Sequence, residues 1–128
     1  MPNDFDFSEV HKLAVDLGRG NAATIAGARA ILQKGALNIK NGMRSDAKGI
    51  RHAPAFPASI TYDTKITPFG AEAEIGPDKS KRQGALGNIL YFGTSNNAPV
   101  IADYARPLKV EAPIFEKFLG DLAAKYLL

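Results

Sequence analysis

Along the first third of the chain, apolar residues mark one face of a long helix. Ala22, Ile25, Ala28, Leu32, Ala36, Ile39 and Met43 recur at intervals of three and four, the spacing that lines one side of a helix with 3.6 residues per turn. Asn21 supplies an N-cap, so the pattern predicts a helix of about six turns starting there. Upstream, Val10, Leu13, Ala14 and Leu17 also follow helical spacing, and Asp6 with Glu9 resembles a capping box. A short helix from Phe7 to Leu17 is expected, broken by Gly18 and Gly20.

Beyond the long helix the period changes. Ser45 to Pro57, with Gly49, Pro54 and Pro57, has no period and reads as an exposed loop. Ile60, Tyr62, Thr64 and Ile66 then alternate with Thr61, Asp63 and Lys65, and Ala71, Ala73 and Ile75 alternate with Glu72 and Glu74. Two half-buried strands joined at Pro68 to Gly70 form an antiparallel hairpin. Gly76 to Gly84 is a polar, basic loop, and Gln83 to Phe92 has the spacing of a short helix, or of a strand beginning at Asn88, stopped by Gly93. From Ala102 the chain reads as helical in two pieces. Pro107 falls in the first turn of one, and Pro113 fits the first position of the next, where its missing N–H costs nothing. Phe115, Phe118, Leu119, Leu122 and Tyr126 form the expected buried stripe.

These elements predict an α+β fold, with a long N-terminal helix and C-terminal helices packed on a small antiparallel sheet. At 128 residues and 45% hydrophobic composition the chain suits one domain spanning residues 1–128. No stretch approaches the ~18 apolar residues that span a bilayer, and the acidic start lacks the character of a secretory signal. No membrane association is expected.

Composition narrows the chemistry further. There is no cysteine and there are only two histidines, His11 and His52, so neither a thiolate site nor a histidine cluster is expected, and no cofactor. The sequence holds no phosphate-binding Gly-rich loop, no His-Glu-x-x-His pair and no nucleophile elbow around Ser59, Ser80 or Ser95. Glu72 and Glu74 share one strand face, where carboxylates ordinarily serve solubility. The expectation is a protein that is not an enzyme.

The net charge of +3 is unevenly spread, with the basic excess in residues 21–52 and 76–84. Lys48, Arg51, Lys79, Lys81 and Arg82, in the two loops, are the candidate partner-binding residues. Both loops look short of apolar anchors and are expected to be mobile until a neighbour orders them. A nucleic-acid-binding module using Arg29, Lys34, Lys40, Arg44, Lys48 and Arg51 is the alternative from another class. Gly84-Ala85-Leu86-Gly87 has the Gly-x-x-Gly form that some RNA-binding domains use, but no aromatic residue interleaves the cations between Gly76 and Gly84.

The most informative segment is Leu86-Gly87-Asn88-Ile89-Leu90-Tyr91-Phe92-Gly93-Thr94, followed by Ala98-Pro99, Ala105-Arg106-Pro107-Leu108 and Glu111-Ala112-Pro113. It resembles the tail-completion and head-tail connector (neck) proteins of long-tailed bacteriophages. In them an apolar helical segment ends in an aromatic-Gly-Thr triplet and is followed by a proline-bearing loop and a proline-started helix. Phe92, Gly93, Thr94, Pro99, Pro107 and Pro113 carry the likeness, and the position before the aromatic, often acidic in that family, is Tyr91 here. The resemblance implies a non-enzymatic virion protein, in the host cytoplasm before assembly, forming part of a ring at the head-tail junction. Its implied partners are further copies of itself and neighbouring neck, portal-adaptor or tail-tube proteins, with DNA passing through the lumen. A tail terminator capping the tube is the neighbouring alternative. With its apolar positions assigned to one core, the isolated chain is expected to be monomeric or weakly associated.

Overall fold

The computed structural model describes residues 11–16, 22–67, 70–101 and 103–126. It has the expected α+β architecture. Helix α1 (Ala22–Asp46) is the long one. A single turn, α2 (Phe56–Ser59), leads directly into strand β2 (Ile60–Thr67), which pairs antiparallel with β3 (Gly70–Pro77). A third strand, β1 (His11–Asp16), pairs antiparallel on the other side of β3, giving the order β1-β3-β2. A 3-10 turn (Gly84–Leu86) and the short helix α3 (Gly87–Phe92) follow, and α4 (Arg106–Tyr126) closes the chain.

The strand at His11–Asp16 overturns the helix expected over Phe7 to Leu17, whose remaining residues lie outside the described ones. Alternation was present beside the helical spacing in this segment. The register sets His11, Leu13 and Val15 opposite Ile75, Ala73 and Ala71, so β3 offers a full ladder of backbone partners, and tertiary pairing outweighs local propensity.

Packing puts α1 between the sheet and α4. Leu32, Ala36, Ile39 and Met43 on α1 join Ile60, Ala71, Ala73 and Ile75 in one buried cluster, as the stripe predicted. Helix α4 runs antiparallel to α1. Asn38 Nδ2 donates to Glu111 Oε1 at 3.1 Å, and Pro107 packs on Gly42. Arg106 grips Asp46 with two charge-assisted bonds of 2.9 and 2.7 Å, the bidentate geometry guanidinium favours.

Helix α4 is continuous through Pro113 rather than two helices. Pro113 faces solvent, whereas Glu111 and Phe115 on either side of it are buried. Packing on both sides holds the helix together across the lost hydrogen bond. Of the stripe expected to be buried, Phe115 is buried, Leu119 and Leu122 are only half-buried, and Phe118 is 52% exposed. The side chain of Tyr126 lies outside the described ones.

The segment after α1 is not a free loop. Ala47, Ala53 and Phe56 are buried, and short backbone turns connect them. The pair Glu72 and Glu74 also departs from expectation. Glu74 is only 4% exposed, on the central strand of the sheet, with the Lys65 ammonium of the adjoining strand 3.9 Å away.

Candidate functional site

The turn after β3 is built by Asp78. Its backbone N–H donates to the Ser59 carbonyl at 2.9 Å, and its own carbonyl accepts from Lys81 N–H at 3.0 Å. One carboxylate oxygen accepts from the Ser80 hydroxyl and backbone N–H, at 2.6 and 2.9 Å. Those bonds, aided by the charge of Lys81, hold the Asp78 carboxyl below its ordinary pKa. Gln83 adopts the left-handed conformation, φ 62°, and turns its amide oxygen to accept from Ala55 N–H at 2.6 Å. That bond ties the second basic loop to the first. A Cβ on Gly84 would overlap the Asp78 carbonyl, so only glycine fits there. The first glycine of Gly84-Ala85-Leu86-Gly87 thus has a packing explanation, and the motif spans a 3-10 turn and the first residue of α3.

The sequence candidates Lys48, Arg51, Lys79, Lys81 and Arg82 are all exposed, on two loops fastened to each other at the Gln83–Ala55 bond. Among the described residues none of them lies within ion-pair distance of a carboxylate. These five cations and Asp78 together carry +4 in a chain of net +3. Helix α1 carries a further +3, from Arg29, Lys34, Lys40 and Arg44 against Asp46, and the rest of the chain is net negative.

The wider basic set does not converge. Arg44 donates through Nε to the Ile60 carbonyl at 2.9 Å, and the Lys40 ammonium sits 5.7 Å from the centre of the Tyr62 ring. Both serve the packing of α1 on β2. Arg29 and Lys34 stay exposed on α1, and His52 is an exposed residue of the first basic loop.

At the Phe92-Gly93-Thr94 triplet, Gly93 ends α3 with φ 75° and ψ −166°, a region essentially restricted to glycine. Thr94 N–H donates to the Asn97 carbonyl at 2.8 Å, and its hydroxyl accepts from Asn97 N–H at 3.1 Å. The anchoring aromatic is Tyr91 and not Phe92. Tyr91 is 4% exposed and packs edge-on to Phe56 at 5.8 Å, whereas Phe92 is 40% exposed and lies against Tyr104 at 5.0 Å. On a helix this short only one side faces the core, and Leu90 and Tyr91 occupy it. Pro99 is exposed in the loop that returns to α3, where Val100 and Ile101 N–H both donate to the Leu90 carbonyl at 3.0 and 2.9 Å.

The sequence did not point to a largely apolar groove of about 290 Å³ between α1 and α4, walled by Ala30, Ile31, Phe115 and Phe118, with Lys34, Asn38 and Glu111 also lining it. Its signal was present as Val110, Ile114 and Phe118, a second stripe at helical spacing that the structure leaves 42–59% exposed together with Val100. The apolar positions are thus not all consumed by one core. Among the described residues no group of histidine, aspartate and glutamate side chains could hold a metal ion, and no helix is long and apolar enough to cross a membrane.

Compared with protein-family models, curated proteins and solved structures, the chain matches none of them.

Proposed function

We propose that this protein is a structural subunit of a long-tailed phage virion, part of a ring at the head-tail junction, acting in tail completion as a neck connector. The observation that carries the reading is the build of residues 86–113. A short helix ends at a glycine in a glycine-only conformation, a loop bearing Pro99 follows, and a helix with Pro107 at its second position comes next. That is the arrangement the resemblance implies for Phe92, Gly93, Thr94, Pro99 and Pro107. Pro113 fits it less well, since it lies inside α4.

The paired basic loops suit a partner of opposite charge at one side of the ring. Exposed cations contribute little to the fold, so they are free to serve contact and steering. A phage lacking the coding frame tests the reading. Electron micrographs should show filled heads and separate tails accumulating, with joining restored by the gene in trans. Intact infectious particles from the deletion would overturn the proposal.

A further inference from the structure

A ring needs two different surfaces on each subunit, one to give and one to receive. The exposed large apolar side chains fall into two such groups. Ile89 and Phe92 stand one helical turn apart on the outer side of α3, and the backbone bond from Val100 to Leu90 brings Val100 to the same end; they are 49%, 40% and 59% exposed. Val110, Ile114 and Phe118 stand on α4, with Phe118 also walling the α1–α4 groove. The first group projects from a helix end and the second borders a hollow.

The first group sits in an unusual stretch. Residues 83–102 are twenty in a row without Asp, Glu, Lys, Arg or His, in a chain that is 23% charged. Residues 94–100 of that stretch are all exposed, so the lack of charge is not explained by burial. Depletion of charge together with exposed aromatic and aliphatic side chains is the composition of an interface core.

We propose that copies of this chain associate head to tail, with the Ile89/Phe92/Val100 knob of one copy seated in the α1–α4 groove of the next. This rests on the ring reading for its biological setting. The dimensions agree. An apolar cavity of about 150 Å³ holds a benzene-sized group, so the groove of about 290 Å³ takes the Phe92 ring and an aliphatic neighbour. Ala30, exposed at the rim, leaves room for a close approach. Three half-exposed side chains bury roughly 200–300 Å² per partner, short of the roughly 800 Å² of a standard stable interface. Two isolated copies therefore bind weakly, and closure of a ring, which makes the last contact intramolecular, supplies the rest.

Sedimentation velocity on the full chain tests this without the virion, so a failure here is separable from a failure of the head-tail reading. The parent should show a mass that rises with concentration up to about 1 mM, the range of weak contacts. Phe92→Asp removes the knob and Phe118→Asp the groove, and each alone should stay monomeric. Mixed one to one, they keep one intact contact and should form a dimer that grows no further. A parent that is monomeric throughout overturns the proposal. So does a Phe92→Asp variant that associates like the parent, which would place a two-fold contact on α4, and so does a mixture that stays monomeric. Circular dichroism melts confirm folding, and if either variant unfolds, Val100→Asp and Ala30→Asp, at exposed positions, carry the same test.

Discussion

Tyr91 and Phe92 are neighbours with opposite tasks, and their burial assigns them. Tyr91 is 4% exposed among Phe56 and Tyr104, so Tyr91→Ala should cost about 3–5 kcal/mol, the range for emptying a buried aromatic site. Phe92, 40% exposed, should cost only about 1–2 kcal/mol on truncation, in proportion to the area it buries. Chemical denaturation of both variants checks the order, and equal losses would contradict it. Asp78 gives a second residue-scale test. Its carboxyl is held below the ordinary value by Ser80, so this contribution to stability is complete above the unfolded pKa and is lost as pH falls through the lower, folded one. The Ser80 amide resonance should therefore titrate at a pH below the usual aspartate range. Titration at or above that range would show that the carboxylate is not held as described.

At the scale of elements, Pro113 tests how far packing overrides propensity. A proline inside a helix costs roughly 3 kcal/mol against alanine, and Pro113 is exposed with no packing to lose. Pro113→Ala should raise the thermal midpoint, and an unchanged or lower midpoint would mean that the ring contributes something in place. The same contest explains what was legible in the sequence. The long helix and the hairpin read correctly because Leu32, Ala36 and Ile39, and Ala71, Ala73 and Ile75, repeat a single period that burial enforces. His11–Asp16 carried two periods at once, and only the free edge of β3 chose between them. Pro113 was read by local rule as a helix start, although the decisive contacts, Asn38 with Glu111 and the burial of Phe115, span distant parts of the chain. For the candidate site the cations were visible, but Gln83 was not. Nothing in a glutamine before a glycine announces a left-handed turn that reaches across to Ala55.

For the whole molecule, charge and apolar surface are divided by place. A cluster of exposed cations sits on the two loops joined at Gln83, the uncharged apolar surface surrounds the end of α3, and the groove lies between α1 and α4. Replacing Lys79, Lys81 and Arg82 together by serine should shift stability by less than about 0.5 kcal/mol, as for ordinary exposed positions, while lowering the yield of joined particles in a complementation assay. Full joining by that variant would reduce the basic loops to solvated surface. The proposed virion role is tested most directly by quantitative mass spectrometry of purified long-tailed phage particles produced from the genome that carries the coding frame. A structural subunit should be present in every preparation at a fixed number of copies per particle, greater than one. The protein's absence from purified particles, or a trace level that falls with each round of purification, would contradict that role.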